Sequence, residues 1–340
     1  MIYYILLSNI TTTVIMQTPY ECEKYLTTPE NLKKTVEKYG VAIIPGVLNI
    51  TECRRTVSGI WDFFEHITQN WETPINRNKK ESWKGFYKLY PMHSMLFQHW
   101  NIGHAQVVWD LRQKRKIAQI FSTLWNVPIE ELLVSFDGLS FHPPPEETKR
   151  GKFRKTWFHT DQSYNRNDAE CIQSWITPLD VKDGDATLLV YEGSNRYHKE
   201  FADTYPESKN AKSDWYKLTE EQEQFYIEKG CHPKAIKCPA GSIVFWDSRT
   251  IHCGRESLKN REKARWRAVI YLCYMPKSQA SEKQLQKKRK AFNELRLTSH
   301  WPTKTKLFAK NPRTYGAELP EICQIPSPTL TPLGKKLAGF

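Results

Sequence analysis

The chain has 340 residues, 39% apolar and 26% charged, with 12 Trp, 16 Tyr and 15 Phe available for a core, which excludes a disordered chain and admits one elaborated domain. Its formal charge of +13 would suit an acidic ligand or a nucleic acid, whose bases the aromatic side chains could stack, but it speaks to partners and not to fold. Eight scattered cysteines without a CxxC pair exclude a dense disulfide scaffold and point to a reducing, intracellular, cytoplasmic setting, and no stretch reaches the twenty apolar residues of a membrane helix.

Residues 1–16 open apolar with Ile2, Leu6 and Leu7, lack a basic flank and turn polar at Asn9, so 1–28 reads as an N-terminal extension. Thr28-Pro29-Glu30 signals a helix start, and an amphipathic run to Tyr39-Gly40 leads into a strand from Val41 to Ile44. A second helix is predicted from Thr51, with Arg54 and Arg55 on one side and Val57, Ile60, Trp61 and Phe64 on the other. Residues 70–106 lack periodicity, and 110–125 reads as one long helix. From Leu132 the pattern turns to β, over 132–142, 171–179, 187–191, 235–238, 242–246 and 265–274. Short strands with turn residues between them predict an antiparallel sandwich or barrel. A charged insertion over 201–229 reads as a short helix with loops, and after Pro276 a basic, exposed helix carrying Lys287, Lys288, Arg289 and Lys290 runs to about Leu297 before a proline-rich end. The expected division is an extension over 1–28, one domain over 29–276 (helical part 29–130, β core 131–276) and a C-terminal extension over 277–340.

The first chemical signal is Trp157-Phe158-His159-Thr160-Asp161-Gln162. Residues two apart on an extended chain point the same way, so His159 and Asp161 can hold one cation together. The second is a strand, a polar turn and an isolated histidine, Ile243 to His252, the form of a distal ligand brought back by the next pair of strands. Two imidazoles and one carboxylate leave open positions that suit iron(II) and oxygen chemistry. Arg265-Trp266-Arg267 then opens a strand 13 to 15 residues after His252. A guanidinium grips a carboxylate through two bonds, so Arg267, next to the apolar run, is the first candidate for a dicarboxylate cosubstrate and Arg265, of the same strand parity, the second.

Over roughly 130–275 the chain resembles the phytanoyl-CoA dioxygenase family of iron(II) and 2-oxoglutarate oxygenases. The likeness rests on Phe141-His142-Pro143-Pro144-Pro145, on Trp157 to Gln162, on Ser174-Trp175-Ile176-Thr177-Pro178-Leu179-Asp180, and on Asp183-Gly184-Asp185-Ala186 followed by Tyr191-Glu192-Gly193-Ser194-Asn195. It implies an all-β core with helical additions, a double-stranded β-helix (jelly roll, cupin-like) flanked by α-helices. It also implies hydroxylation of a small molecule by O2 with 2-oxoglutarate converted to succinate and CO2, ascorbate serving as reductant. By the same resemblance His159, Asp161 and His252 are catalytic metal ligands, Trp175 lies beside the cosubstrate, and His142 stands where the family often places a lysine that reaches it. The spacing from His252 to the arginines is longer than the family's, which implies a small insertion at Ser257 to Lys263, and Asn195 replaces the histidine of the glycine-serine-histidine signature.

Ser135, Asp137, Tyr164, Arg166 and Asn167 are near the metal motifs in sequence and are the candidate substrate-binding residues. A non-catalytic cupin-like metal- or ligand-binding protein would share the β core and could share its ligands, and a nucleic-acid-binding or nucleic-acid-modifying protein could be built on the same core.

Overall fold

Two sheets face each other in the computed structural model, which describes residues 18–89, 96–149, 156–312, 316 and 318–340; the apolar opening over 1–16 lies outside the described residues. The strands are β1 (Tyr20–Glu21), β2 (Val41–Ile44), β3 (Leu132–Val134), β4 (Leu139–His142), β5 (His159–Thr160), β6 (Ile172–Ile176), β7 (Thr187–Tyr191), β8 (Tyr216–Lys217), β9 (Pro233–Ile236), β10 (Ile243–Asp247), β11 (His252–Arg255), β12 (Arg267–Tyr271) and β13 (Tyr274–Pro276). One sheet runs β2-β10-β6-β12-β4 and the other β1-β9-β7-β11-β5-β8, while β13 and β3 pair separately. From β4 to β7, and again from β9 to β12, each strand lies in the sheet opposite its predecessor.

Period-two alternation sorts every strand between two apolar layers. Val41, Ile43, Trp175, Val244, Trp246 and Val269 of one sheet meet Leu188, Val190 and Ile236 of the other in the inter-sheet core. Their neighbours Ala42, Ile176, Phe245, Ala268 and Ile270 point outward into a helical layer. Leu189, Tyr191, Ala235 and Cys253 point outward from the second sheet, into a layer made by the insertion with Phe201, Phe225 and Tyr226. Both faces of β6, β7 and β10 are therefore covered, and every residue of the three strands is buried.

The helical layer is Leu32–Tyr39, Ile50–Ile67, Gln106–Arg112 and Arg115–Trp125. The helix at Ile50 starts at a capping box between Asn49 and Glu52, and Trp61 packs edge-on against Phe141 at 5.2 Å and Trp266 at 4.9 Å, which ties the helix to β4 and β12.

Four expectations change. The single helix over 110–125 is two, broken at Gln113, so that the fully buried Arg112 bonds the carbonyls of Gly103 and Asp137 while Lys114 reaches Glu52 at 2.8 Å. The strand over 132–142 is also two: Ser135 and Asp137 turn into that polar cluster, and Gly138 passes where an added Cβ would stand 1.7 Å from the Phe97 carbonyl oxygen. The insertion carries two helices, His198–Thr204 and Glu220–Glu228. The basic helix, Glu282–Asn293, is not exposed throughout: Leu285, Lys288 and Ala291 share a buried face because Lys288 Nζ donates to the Val134 carbonyl over the Phe136 ring. The final helix, Pro332–Leu337, packs beside β3. All eight cysteines are free thiols, and no helix among the described residues is long and apolar enough to cross a membrane.

Candidate metal centre

His159 on β5 and His252 on β11 stand directly opposite each other in register, and Asp161 follows β5 with its amide on the Ser248 carbonyl at 2.9 Å. The turn between β10 and β11 is held by Arg249, which clamps Asp247 through both carboxylate oxygens at 2.7 to 3.2 Å. Asp161 Oδ2 then lies 3.7 Å from His159 Nε2 and 3.3 Å from His252 Nε2. One donor atom from each of the three residues falls within 4.8 Å of the others, and both histidines are only 4% exposed.

The backbone decides the tautomers. Nδ1 of His159 lies 3.1 Å from the Trp157 carbonyl and Nδ1 of His252 lies 2.8 Å from the Thr250 carbonyl. A carbonyl only accepts, so both Nδ1 atoms carry the proton and both Nε2 atoms, which lie nearest Asp161, are left with the lone pair. Trp246 Nε1 donates to His252 Nε2 at 3.2 Å. Gln173, on the inward face of β6, donates to Asp161 Oδ2 at 3.0 Å. Burial pushes the His159 pKa down, as does the neighbouring His252. Burial alone would raise the Asp161 carboxyl, but His300, His159 and His252 hold it well below the usual range. Neutral imidazoles beside an ionised carboxylate are the protonation states in which this trio binds a cation, and the chemistry of the donor set fits a divalent iron.

Further along the interior, Arg267 on β12 is buried; its Nε donates to Ser140 Oγ at 3.1 Å and its Nη1 to the Ala186 carbonyl at 2.7 Å. Its guanidinium sits 6.0 Å from the Trp175 ring, and Trp175 Nε1 is a buried N–H without a hydrogen-bond partner among the described residues. His142 stands opposite Arg267 in register. Arg265 precedes the strand, its Nη1 3.6 Å from Asp185, which Arg261 also binds at 2.9 Å.

The five candidate substrate residues fall in three places. Ser135 donates to Asp137 at 2.8 Å inside the buried cluster of Arg112. Tyr164 lies in the outer layer, its hydroxyl 3.1 Å from that of Tyr226 and its ring stacked 4.4 Å from His198, so the fold does not bring it to the triad. Arg166 pairs with Asp214 and Glu170, and the exposed Asn167 accepts from Arg249 at 2.6 Å.

Four residues beside the triad were not singled out from the sequence. Trp157 stacks on the His159 imidazole at 4.7 Å and 7°, Trp215 lies 5.7 Å from it, Gln173 binds Asp161, and His300 counts Asp161, Asp137, His252 and Asp214 as its electrostatic neighbours. Gln173 shares strand parity with Trp175, a signal that was available; nothing in the sequence around Trp215 or His300 marks them.

No family model matches the chain. Among curated proteins, the Ava biosynthesis cluster protein O of Aspergillus versicolor is 26% identical over 211 residues, 60% of this chain and 65% of that protein, so the match spans just under two thirds of the relative's length. Among solved structures, a candidate oxidoreductase from Salmonella typhimurium LT2 superposes with a TM-score of 0.58 at 12% identity, over 99% of this chain and 93% of that one. The hypothetical protein JW0805 from Escherichia coli gives 0.55 at 14% identity, over 100% and 92%. At such identities the likeness is one of fold.

Proposed function

We propose that the protein is an iron(II)- and 2-oxoglutarate-dependent dioxygenase of the phytanoyl-CoA dioxygenase type, built on a double-stranded β-helix and hydroxylating a small molecule. The observation that carries this reading is the convergence of His159 Nε2, His252 Nε2 and Asp161 Oδ2, with Arg267 buried on β12 of the facing sheet. The alternation of strands between the sheets supports the β-helix reading. The biosynthesis cluster of the Aspergillus relative makes a small-molecule substrate the reading to test first.

His159, Asp161 and His252 would hold the iron, and Arg267 would pair with the distal carboxylate of 2-oxoglutarate, using donors that Ser140 and Ala186 leave over. Trp175 Nε1, a buried donor without a partner among the described residues, would be satisfied by a cosubstrate oxygen, and His142 stands near enough in register to help orient it. Arg265 is the weaker candidate because Asp185 already engages it. Bound iron and 2-oxoglutarate would supply O2 activation, with succinate and CO2 as coproducts. The chain's own part is to fix the two tautomers, keep Asp161 ionised and enclose the interior against water.

The test is anaerobic titration of iron(II) and then 2-oxoglutarate, followed by succinate formation in air. His159→Ala and Asp161→Ala should lose iron. Arg267→Ala should keep iron and bind 2-oxoglutarate roughly 30- to 100-fold more weakly, as expected for a lost charge-assisted bond, whereas Arg265→Ala should not. Iron binding without any succinate, coupled or uncoupled, would favour the non-catalytic reading.

A further inference from the structure

Two features near the triad are not used by the chemistry above. The first is Trp215. It is 46% exposed, one of few large apolar side chains left open among the described residues, yet its ring centroid lies 5.7 Å from that of His159. It is not on a free loop. The next residues form β8, where Tyr216 pairs with Thr160 and Lys217 with His159, so the indole is placed by the same ladder that places the metal-facing imidazole. Asp214 anchors the preceding turn through Arg166 and, at 3.2 Å, the Ser163 amide.

The second feature is His300. Among the described residues its buried Nε2 has no hydrogen-bond partner, and the charges of Asp161, Asp137 and Asp214 and of His252 act on it. The segment that carries it is fixed: Thr298 exchanges two bonds with Phe136, at 3.0 and 3.1 Å, and the adjacent Trp301 is buried. A buried ring nitrogen left unsatisfied costs free energy that a bound polar group would recover. An open indole has the corresponding affinity for a flat ring.

We infer that the substrate carries a planar aromatic or fused-ring group that stacks on Trp215, and a polar atom beside that ring which bonds His300 Nε2. This rests on the oxygenase reading above only in calling the ligand a substrate.

The test uses the full chain with iron(II) and 2-oxoglutarate under anaerobic conditions, titrated by calorimetry with two probes that share their amides and differ in the ring: N-acetyl-tryptophanamide and N-acetyl-leucinamide. The tryptophan probe should bind at least about tenfold more tightly. Trp215→Ala should remove that preference and Trp215→Phe should keep most of it. His300→Ala should weaken both probes, and His300→Gln should weaken them less. Equal affinity of the two probes, an unchanged preference in Trp215→Ala, or no binding of either would overturn the inference. Iron and 2-oxoglutarate affinities are read in the same titrations. If they are normal while the probes are not distinguished, this inference fails alone. If they are absent while the Trp215-dependent preference persists, the oxygenase reading fails and the ring-binding wall stands.

Discussion

At the candidate metal centre, side chains are oriented by groups that would not touch a metal. Two backbone carbonyls fix the histidine tautomers, and Gln173 fixes Asp161 from β6, twelve residues further along the chain. His159 and Asp161 were legible because their spacing explains itself on an extended strand, whereas His252 needed the fold to bring it opposite His159. Trp215 and His300 were not legible, because proximity to the triad arises from β8 pairing with β5 and from a C-terminal segment that folds back. Gln173→Leu keeps the side-chain size and removes the donor to Asp161. We expect iron(II) affinity to fall about 10- to 100-fold, measured by competition with a chelator of known affinity; undiminished affinity would mean that the Ser248 contact to the Asp161 backbone suffices to hold the carboxylate.

Among the elements, the interior strands β7 and β10 were legible as largely apolar runs bounded by turn residues, and β6 from its apolar and aromatic residues around Gln173 and Ser174. Strands β1, β5 and β8, of two residues each, are too short to leave a periodic signal and are defined by their partners. The break between β3 and β4 was missed because its cause is a distant carbonyl. Gly138→Ala would drive a Cβ into the Phe97 carbonyl, and we expect a loss of about 3 kcal/mol, read as a lowered urea midpoint; a midpoint equal to wild type would show that the Phe97 segment moves aside freely.

The helix Glu282–Asn293 was misread as exposed because three lysines and an arginine in succession hide the single buried position. Lys288 is fully enclosed, and burial lowers its pKa to about 7, assisted by repulsion from Arg112. The unfolded chain titrates this amine near the ordinary lysine value. From pH 7 upward the unfolded state therefore holds a proton that the folded state has released, so stability from this group rises with pH; below pH 7 the cost of the buried charge is present in full. Lys288→Met should abolish that slope. Relative to wild type, the variant's advantage should shrink by up to about 1 kcal/mol per pH unit between pH 7 and 9, measured by urea unfolding, and a pH-independent difference would contradict the assignment.

At the scale of the whole molecule, the segments on either side of 29–276 join the same packing: β1 pairs with β9, and the helices Glu282–Asn293 and Pro332–Leu337 meet the Val134 and β3 region. The facing sheets were readable because many short strands with few helices between them admit few arrangements, but no composition or periodicity indicates where a C-terminal segment will dock. One residue at that docking site makes the closure pH-sensitive. His104 lies among Trp109, Phe136 and Phe292, with Nε2 3.0 Å from the Arg296 carbonyl, and burial lowers its pKa to about 3. In the outer layer burial lowers that of His198 to about 4. Each folded pKa lies below the unfolded histidine value near 6.5, so between those limits the unfolded chain binds more protons and stability falls as pH falls. Asp137 and Asp185 act in the opposite direction, since burial raises both carboxyls, and their contribution begins as the pH falls through those raised values. In the metal-free protein the two histidines should therefore contribute a loss of several kcal/mol, of order 1.4 per unit of histidine shift, between pH 6.5 and 4.5, which the two carboxyls offset in part. His104→Phe should lose less over that interval, because the ring contacts remain and the proton site does not. The measurement is the urea midpoint at pH 7, 6, 5 and 4.5, and equal slopes for the wild type and His104→Phe would place the acid sensitivity elsewhere.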